Sequence, residues 1–311
     1  MVSASSASVL LLLFKAPYTA RPGRNNPSTI VRSTSSFSCP LSRSPAHLTG
    51  AIIAANKMGS ATAMLLEFVA VAALLATSAT AQYWNSGTAT FYGGKDGSGT
   101  MGGACGYDNL YNQGYGVLNA ALSQVLFNDG ASCGQCYNIK CDTSKSAWCK
   151  PGYSVTITAT NLCPPNYAIT TNGGGWCNPP RAHFDMSQPA WEQIGIYRAG
   201  IIPVLYQRVP CSRQGGVRFT ISGFNYFQLV LVTNVAASGS IRSMSVKGAN
   251  TGWIAMTRNW GALWQCSSAL VGQGLSFMVI STGGQTLYMN NVVPGWWTFG
   301  MTFATNLQFY Q

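Results

Sequence analysis

The spacing of its cysteines constrains this 311-residue chain more than any other feature. Eight of the ten cysteines fall in one segment, and they are Cys105, Cys133, Cys136, Cys141, Cys149, Cys163, Cys177 and Cys211. An even set at this density is typical of a secreted domain held together by disulfides. A zinc site at Cys133, Cys136 and Cys141 is the alternative, which an oxidising compartment disfavours. Eight cysteines allow on the order of a hundred pairings, so spacing alone does not assign the bonds.

A leader segment precedes this cysteine-rich part of the chain. Residues 61–81 are apolar and end in Ala79-Thr80-Ala81, the small-x-small pattern at which a signal peptidase cuts. We therefore predict a signal peptide over 58–81 and a mature chain that begins at Gln82. The alternative is a transmembrane anchor, which Glu67 inside the stretch disfavours. No other segment has the length of a membrane-spanning helix, so the mature chain is predicted not to cross a membrane.

Residues 1–57 have a different composition, with six basic residues, no acidic residue and many serines. This composition is typical of an organelle transit peptide. The alternative, which we favour, is that Met58 is the natural start and that 1–57 is an artefactual extension, because signal peptides normally stand at the N-terminus.

The composition of the mature segment changes after Cys211. All six of its acidic residues precede residue 193, whereas residues 217–311 contain no carboxylate side chain and one cysteine, Cys266. We therefore predict two domains, 82–213 and 216–311, and a catalytic Asp or Glu could come only from the first. The mature segment has 12 basic and 6 acidic residues without a Lys/Arg stripe, which argues against a nucleic-acid partner and fits an acidic polysaccharide matrix.

The second domain has the pattern of an antiparallel sandwich. Runs of β-branched and aromatic residues alternate with Gly, Asn and Ser clusters, and the predicted strands are 217–222, 226–235, 241–248, 275–281 and 285–293. The first domain is also predicted to be mostly strands and loops. It contains one predicted helix, Pro189–Arg198, capped by Ser187 and with Trp191, Ile194 and Tyr197 on one face.

The tripeptide His183-Phe184-Asp185 is the one place in the mature segment where a histidine and a carboxylate are close in sequence. In a strand, residues 183 and 185 point to the same face, so both side chains could reach one site. A surface turn is the alternative. As the acid of a glycosidase, Asp185 would need a second carboxylate about 5–10 Å away, and the sequence identifies none.

Aromatic residues are abundant in the second domain. Tyr226 and Phe227 are adjacent in a predicted strand, so one ring is expected in the core and the other at the surface unless a bulge intervenes. Five tryptophans follow, and they are Trp253, Trp260, Trp264, Trp296 and Trp297. About two thirds of these rings are expected in the core, and exposed rings would stack on the apolar faces of sugars.

A series of ordered motifs resembles the α-expansins of plants. The motifs are Thr88-Ala-Thr-Phe-Tyr-Gly-Gly94, Ala104-Cys-Gly-Tyr107, Ser132-Cys-Gly-Gln-Cys136, Ala159-Thr-Asn-Leu-Cys-Pro-Pro-Asn166, Gly174-Gly-Trp-Cys-Asn-Pro-Pro180, His183-Phe-Asp185, Tyr197-Arg-Ala-Gly-Ile201, Arg208-Val-Pro-Cys211, Gly252-Trp-Ile-Ala-Met-Thr-Arg-Asn-Trp260 and Ser276-Phe277. The resemblance covers about 84–311, which is nearly the whole mature segment.

This resemblance implies an all-β fold. A six-stranded double-psi β-barrel, similar to family-45 endoglucanases, would be followed by an immunoglobulin-like β-sandwich that binds carbohydrate. The disulfides it implies are Cys105–Cys133, Cys136–Cys211, Cys141–Cys149 and Cys163–Cys177. It implies no metal and no cofactor.

The resemblance also implies a function. Such a protein is a secreted, non-enzymatic monomer of the plant cell wall, associated with membranes, that loosens contacts between cellulose and matrix glucans such as xyloglucan at acid pH. The loosening site it implies is Asp185 with Thr90 and His183. The glucan-binding residues it implies are Tyr92 and Asn161 in a groove and Tyr226, Phe227 and Trp260 on an aromatic platform.

The chain departs from the related patterns at a few positions. The second catalytic Asp of the endoglucanases has no counterpart near Thr90-Phe91-Tyr92, and Asn161 stands where bacterial relatives carry Asp. An inverting hydrolase needs a base to activate water, so no hydrolysis is expected. Ala182 and Cys266 replace a common His and a common Ser. The alternatives are an inverting endo-β-glucanase with an unrecognised base and a wall polysaccharide-binding protein that does not loosen.

Overall fold

The computed structural model describes residues 83–310, so the predicted extension 1–57 and signal peptide 58–81 lie outside the described residues. The first half of this part contains six strands: β1 (Asn85–Tyr92), β2 (Asn119–Ser123), β3 (Cys136–Cys141), β4 (Val155–Cys163), β5 (His183–Ser187) and β6 (Ile202–Val209). They form a closed barrel in the order β1-β5-β2-β4-β3-β6. The pairs β1–β5 and β2–β4 are parallel, and the other pairs are antiparallel.

Side-chain alternation along the barrel strands separates a core from an outer face. On β5, Phe184 and Met186 are fully buried in the barrel core, and on β1 the same is true of Ala89. Their neighbours along β5, His183 and Asp185, therefore point to the other face, as the period of two along a strand requires. This is the face on which the candidate site lies.

Two short helices flank the barrel strands, α1 (Gln124–Phe127) and α2 (Gln188–Ile194). The predicted cap of α2 is present, because the Ser187 hydroxyl accepts a hydrogen bond from the Ala190 amide at 3.3 Å. The predicted end at Arg198 is wrong. Gly195 is extended and bridges to Cys149, so the helix ends at Ile194 and Tyr197 lies in a separate 3-10 turn, half-exposed.

The second half contains eight strands: β7 (Arg218–Phe224), β8 (Phe227–Thr233), β9 (Ile241–Gly248), β10 (Ile254–Arg258), β11 (Leu263–Cys266), β12 (Leu275–Ser281), β13 (Thr286–Val293) and β14 (Thr302–Ala304). Their order in the sheet is β13-β12-β9-β10-β11-β8-β7-β14. Phe219 on β7 and Phe277 on β12 stack at 4.2 Å although four strands separate β7 and β12 in this order. The sheet therefore folds over into two layers around one apolar core. The five predicted strands are confirmed, whereas β10, β11 and β14 were not predicted.

Four disulfides staple the barrel and its loops. They join Cys105 to Cys133, Cys136 to Cys211, Cys141 to Cys149 and Cys163 to Cys177. This is the pairing that the family resemblance implied, and it replaces the zinc alternative because Cys133, Cys136 and Cys141 are all oxidised. Cys266 is buried in the sandwich and forms no disulfide within 83–310.

The barrel and the sandwich pack directly against each other. Leu231, Ala262 and Leu263 of the sandwich belong to the same buried cluster as the barrel core. Gly130 and Gly261 meet backbone to backbone, since a Cβ on Gly130 would lie 2.8 Å from the Gly261 nitrogen. The predicted boundaries at 213 and 216 stay predictions. No helix within 83–310 is long and apolar enough to cross a membrane.

Candidate functional site

One row of residues crosses four neighbouring barrel strands. Thr90 on β1 pairs with Asp185 on β5, Asp185 pairs with Ala121 on β2, and Ala121 pairs with Asn161 on β4. Neighbouring strands are about 4.8 Å apart, so Thr90 and Asn161 are separated by roughly 14 Å across the sheet. The small Ala121 side chain stands between the polar groups. The row therefore forms the floor of a shallow polar groove that runs across the strands.

Strand β1 supplies a polar side chain at every second position. Thr88, Thr90 and Tyr92 share one face, and each hydrogen-bonds a predicted site residue on another strand. The Tyr92 hydroxyl accepts a hydrogen bond from the Asn161 amide at 3.3 Å. The Asn161 carbonyl in turn accepts hydrogen bonds from the backbone amides of Ala104 and Leu162, which fixes its orientation. Thr88 was not predicted as a site residue, although its position two residues before Thr90 placed it on the same face.

A chain of hydrogen bonds runs from Thr88 through His183 and Thr90 to Asp185. The Thr88 hydroxyl lies 2.8 Å from His183 Nδ1, and the Thr90 hydroxyl lies 2.8 Å from His183 Nε2. Thr90 Oγ1 also lies 2.7 Å from Asp185 Oδ1. Four groups are thus linked in a line, and each hydroxyl has one proton to donate.

The charge on Asp185 decides which group donates in each hydrogen bond of this line. An ionised carboxylate only accepts, so Thr90 must donate to Asp185 and accept from His183 Nε2–H. A neutral imidazole then has an unprotonated Nδ1, which accepts from Thr88. When Asp185 takes up a proton, the same contacts allow it to donate to Thr90, with every proton in the line reversed. His183 therefore acts on Asp185 through Thr90, and its two ring nitrogens are both occupied.

Burial shifts both titrating groups of the line. His183 is fully buried, and desolvation together with the nearby Arg181 charge lowers its pKa to about 3. It therefore stays neutral in mildly acid solution. Burial also raises the pKa of Asp185, against the opposing effect of the Thr90 hydrogen bond. The carboxyl consequently changes its charge at a higher pH than an exposed aspartate would.

A small cavity of about 130 Å³ opens beside Asp185. Thr90, His183 and Asp185 border it on one side, and the loop closed by Cys163–Cys177 borders it on the other. Trp176, beside Cys177 in a glycine-rich run, is half-buried in this loop and lines the cavity. The site prediction did not include Trp176, although its place next to a disulfide cysteine was a signal. Asp185 is the one carboxylate among the lining residues.

The barrel loop 103–107 connects the groove to the sandwich. Its Ala104 amide hydrogen-bonds Asn161, and the Cys105–Cys133 disulfide fastens the loop. Gly106 lies under the half-exposed Trp260 ring, since a Cβ there would be 3.2 Å from Trp260 Cη2. The loop that contacts Asn161 at the groove therefore also contacts Trp260 of the sandwich.

The other two residues of the predicted platform lie at the β7–β8 hairpin. Asn225 and Tyr226 form its turn, which leaves Tyr226 70% exposed, and Phe227 begins β8. Phe227 is half-buried and stacks on the exposed Phe224 at 5.4 Å rather than entering the core. The expectation that one of the two adjacent rings packs in the core is wrong, because Tyr226 stands in a turn and not in a strand. Phe224 is a third exposed ring that the site prediction missed.

Comparisons with known proteins agree with this two-part architecture. Residues 217–294 match the sequence model of the expansin C-terminal domain, and residues 119–206 match one described as lytic transglycolase. Expansin-A25 of Oryza sativa subsp. japonica is 69% identical over 250 residues, which span 79% of this chain and 98% of the rice protein. The chain belongs to the expansin A family. Expansin-A7 of Arabidopsis thaliana is 55% identical over 227 residues, which span 73% of this expansin and 86% of the Arabidopsis protein.

Solved structures share the fold of this expansin. The crystal structure of apo Clavibacter michiganensis expansin matches with a TM-score of 0.54 at 20% identity, over 74% of this chain and 99% of the bacterial one. A mutant of that expansin in complex with cellohexaose matches with a TM-score of 0.54 at 19% identity, with the same coverage. These matches confirm the predicted all-β fold, a double-psi barrel followed by a β-sandwich.

The tryptophans of the sandwich are more exposed in this expansin than expected. Trp264 and Trp297 are buried, whereas Trp253, Trp260 and Trp296 expose between about two fifths and 70% of their surface. The expectation that two thirds of them lie in the core is therefore wrong. Trp253 and Trp260 flank the ends of β10, and Trp296 lies between β13 and β14, so all three stand outside the strands that fill the core.

Proposed function

We propose that this expansin is secreted to the plant cell wall and loosens it at acid pH. In this proposal it displaces the non-covalent contacts between cellulose and matrix glucans such as xyloglucan, and it cleaves no glycosidic bond. The observation that carries the proposal is the groove around Asp185. Its floor holds hydroxyl, amide and phenol groups suited to sugar hydroxyls, and its cavity is lined by one carboxylate.

The binding part of the proposal rests on two surfaces, the groove on the barrel and the predicted aromatic platform on the sandwich. The groove presents polar groups across four strands, and Tyr226, Phe227 and Trp260 present rings whose faces can stack on sugars. The bacterial relative was crystallised with cellohexaose, a β-glucan fragment, which supports a glucan as ligand here. Two linked surfaces on one polymer raise the effective concentration of each, so weak contacts suffice to compete with other chains.

The acid-pH part of the proposal rests on the line from Thr88 to Asp185. Because burial raises the pKa of Asp185, the carboxyl gains its proton in mildly acid solution more readily than an exposed aspartate. A protonated Asp185 can donate a hydrogen bond to a sugar oxygen, which the ionised form cannot do. Loosening would then increase as the pH falls through the pKa of Asp185.

The non-hydrolytic part of the proposal rests on chemistry. Inverting glycosidases use a second carboxylate to activate water, and retaining ones use it as a nucleophile. Asp185 has no carboxylate partner among the residues that line its cavity. The neighbours that share its cross-strand row are Thr90, Ala121 and Asn161, and none of them is a base of the required kind.

The test is creep of heat-killed plant wall strips under constant load, at pH 4.5 and pH 7, with new reducing ends counted in the bath. We expect extension at the acid pH without new ends. Extension in step with new ends would establish a hydrolase instead. No extension, with cellulose binding intact, would leave a polysaccharide-binding protein.

The Asp185→Asn substitution tests the residue assigned to the site. We expect it to remove the pH dependence of extension, because an amide cannot gain or lose the proton, and to leave cellulose binding by the platform largely unchanged. Asp129→Asn is the matched control, since Asp129 is exposed, lies outside the cavity lining and has a positive φ of 49° that asparagine accepts. The same pH dependence of extension in Asp185→Asn and in the wild type would refute the role of Asp185.

A further inference from the structure

A second cavity lies on the barrel away from the groove. Its volume is about 380 Å³, and it is bordered by the chain before β1, by β3, by β6 and by the loop between β3 and β4. The side chains that carry the argument are Trp84, Asn138, Lys140, Asp142, Lys150 and Tyr153. None of them was part of the predicted site.

The cavity and the groove lie at opposite ends of β1. Trp84 directly precedes the strand, and Thr90 lies six residues further on. At about 3.3 Å per residue, this places the two sites roughly 20 Å apart along the strand. One short sugar unit cannot contact both, so the cavity is a separate site and not an arm of the groove.

The cavity has an excess of positive charge. Asp142 lies on its wall, but its carboxylate is paired with the Lys145 ammonium at 2.8 Å and also accepts from the Ser144 hydroxyl. The Lys145 partner holds the pKa of Asp142 below its usual range, so this negative charge is already compensated. The Lys140 and Lys150 ammonium groups are the further charges on the wall, and neither has a carboxylate partner among the described residues.

Neighbouring contacts hold the two ammonium groups in place. Lys140 Nζ lies over the Trp84 ring, 4.2 Å from its centroid, which orders the side chain by a cation–π contact. Lys150 Nζ donates to the backbone carbonyl of Glu192. An ammonium group has three protons, so both lysines keep donors for a ligand.

The remaining wall has the features of a sugar site. Tyr153 is 64% exposed on it and offers a ring face. The Asn138 amide and the Ser154 hydroxyl are hydrogen-bonded to each other at 3.3 Å and border the same space. A neutral sugar would leave two ammonium groups without an anionic partner, and a bare inorganic anion would not use the ring.

We infer that this cavity binds a uronic acid residue of an acidic polysaccharide, with the sugar carboxylate at Lys140 and Lys150 and the sugar ring on Tyr153. Charge-assisted hydrogen bonds to the carboxylate supply most of the affinity. The protein then holds an acidic matrix polymer at one end of the barrel while the groove at the other end faces a neutral glucan. This inference does not rest on the proposed function, because it concerns a site that shares no residue with the groove.

The test is titration calorimetry of the secreted protein with an oligogalacturonate of defined length, at low and at moderate salt. The comparison ligands are the methyl-esterified oligomer and a cello-oligosaccharide of equal length. We expect saturable binding of the free acid, and affinity for the ester lower by about tenfold or more, because the ester carries no charge. Lys140→Gln is expected to lower the affinity about tenfold, and Lys140→Arg to restore most of it.

Lys247→Gln is the matched control, since Lys247 also lies over a tryptophan ring, that of Trp253, but on the sandwich. We expect it to change the affinity by less than about twofold. If net charge alone governed binding, Lys247→Gln would lower the affinity as much as Lys140→Gln does. Asp185→Asn should leave the acidic ligand bound as in the wild type. Equal losses in Lys140→Gln and Lys247→Gln, equal binding of acid and ester, or no saturable binding would each overturn the inference.

Discussion

The barrel and the sandwich are stabilised in different ways. The barrel region contains all four disulfides and all six acidic residues of the mature segment. The sandwich has neither, and it relies on a core in which Val217, Phe219, Ile221, Leu270 and Phe277 are completely buried. Covalent links thus support one half of the molecule, and apolar packing supports the other.

This difference matches what each half would present to a polymer in the proposed function. The barrel's site depends on long loops, among them 93–118 and 164–182, which have little regular structure to hold them. The Cys105–Cys133 and Cys163–Cys177 bonds fasten these two loops next to Asn161 and Asp185. The platform needs only rings at a turn and at a strand end, which a well-packed sheet positions without further links.

The largest effect should come from opening the disulfide that closes the longest loop. Replacing Cys136 and Cys211 by Ala removes a bond with a sequence separation of 75, and the chain-entropy model gives a loss of about 4.5 kcal/mol in the unfolding free energy. Replacing Cys141 and Cys149, with a separation of 8, should cost about 2.5 kcal/mol. Urea unfolding followed by tryptophan fluorescence, to which the buried Trp191 of the barrel contributes, measures both. Equal losses would show that loop length does not set the stability of the barrel.

The sandwich should respond most to a cavity in its core. Phe277→Ala removes a fully buried ring stacked on Phe219, and we expect a loss of about 3 to 4 kcal/mol in the unfolding free energy. Met278→Ala, on the next and partly exposed position of β12, is the control, with an expected loss of about 1 kcal/mol. Reduction of the disulfides should leave this difference unchanged. A Phe277→Ala loss no larger than the control would contradict the assignment of stability to this core.

The buried histidine should make the barrel sensitive to acid. The folded pKa of His183, about 3, lies below the ordinary value of 6.5, so between these values the unfolded chain binds a proton that the folded chain does not. Stability therefore falls as the pH drops below about 6.5, by about 2 kcal/mol between pH 6.5 and pH 4.5. The raised pKa of Asp185 acts in the opposite sense, because the folded state then gains its proton first.

His183→Gln separates the two contributions. Glutamine stays neutral, so the variant should lack the loss of stability in acid while Asp185 titrates in both proteins. The measurement is the unfolding free energy of wild type and variant in urea at pH 6.5, 5.5 and 4.5. Parallel pH dependences would show that His183 is not the group responsible.

Much of this architecture could be predicted because it depends on local periodicity. The alternation in His183-Phe184-Asp185 predicts one shared face for the two polar residues, and the structure places both on the outer face of β5. The strand pattern of the sandwich likewise predicts β9 and β12 with their observed bounds. The disulfide pairing came from the family resemblance, since many pairings fit the spacing.

The features that were missed depend on how distant segments meet. Thr88 gains its role only because β1 lies parallel to β5 in the observed register, and Trp176 only because its loop folds over Asp185. Tyr226 lies outside β8, although it was predicted to lie in the strand, because Asn225 and Tyr226 form the hairpin turn. The end of α2 at Ile194 follows from the bridge between Gly195 and Cys149, a contact across nearly fifty residues.

The smallest expected effect is on cellulose affinity, when one exposed ring that binds the ligand is removed and compared with an exposed ring that does not. Tyr226 and Tyr310 are 70% and 72% exposed, but Tyr226 stands at the platform hairpin while Tyr310 borders a different surface with Arg208 and Gln285. Tyr226→Ala should weaken binding to cellulose about fivefold, as the loss of one stacking contact of roughly 1 kcal/mol predicts. Tyr310→Ala should change it by less than about twofold, since a ring that contacts no ligand contributes nothing to affinity. Depletion assays on microcrystalline cellulose measure both variants, and equal behaviour would mean that exposure alone, and not position at the β7–β8 hairpin, governs the contribution of a tyrosine.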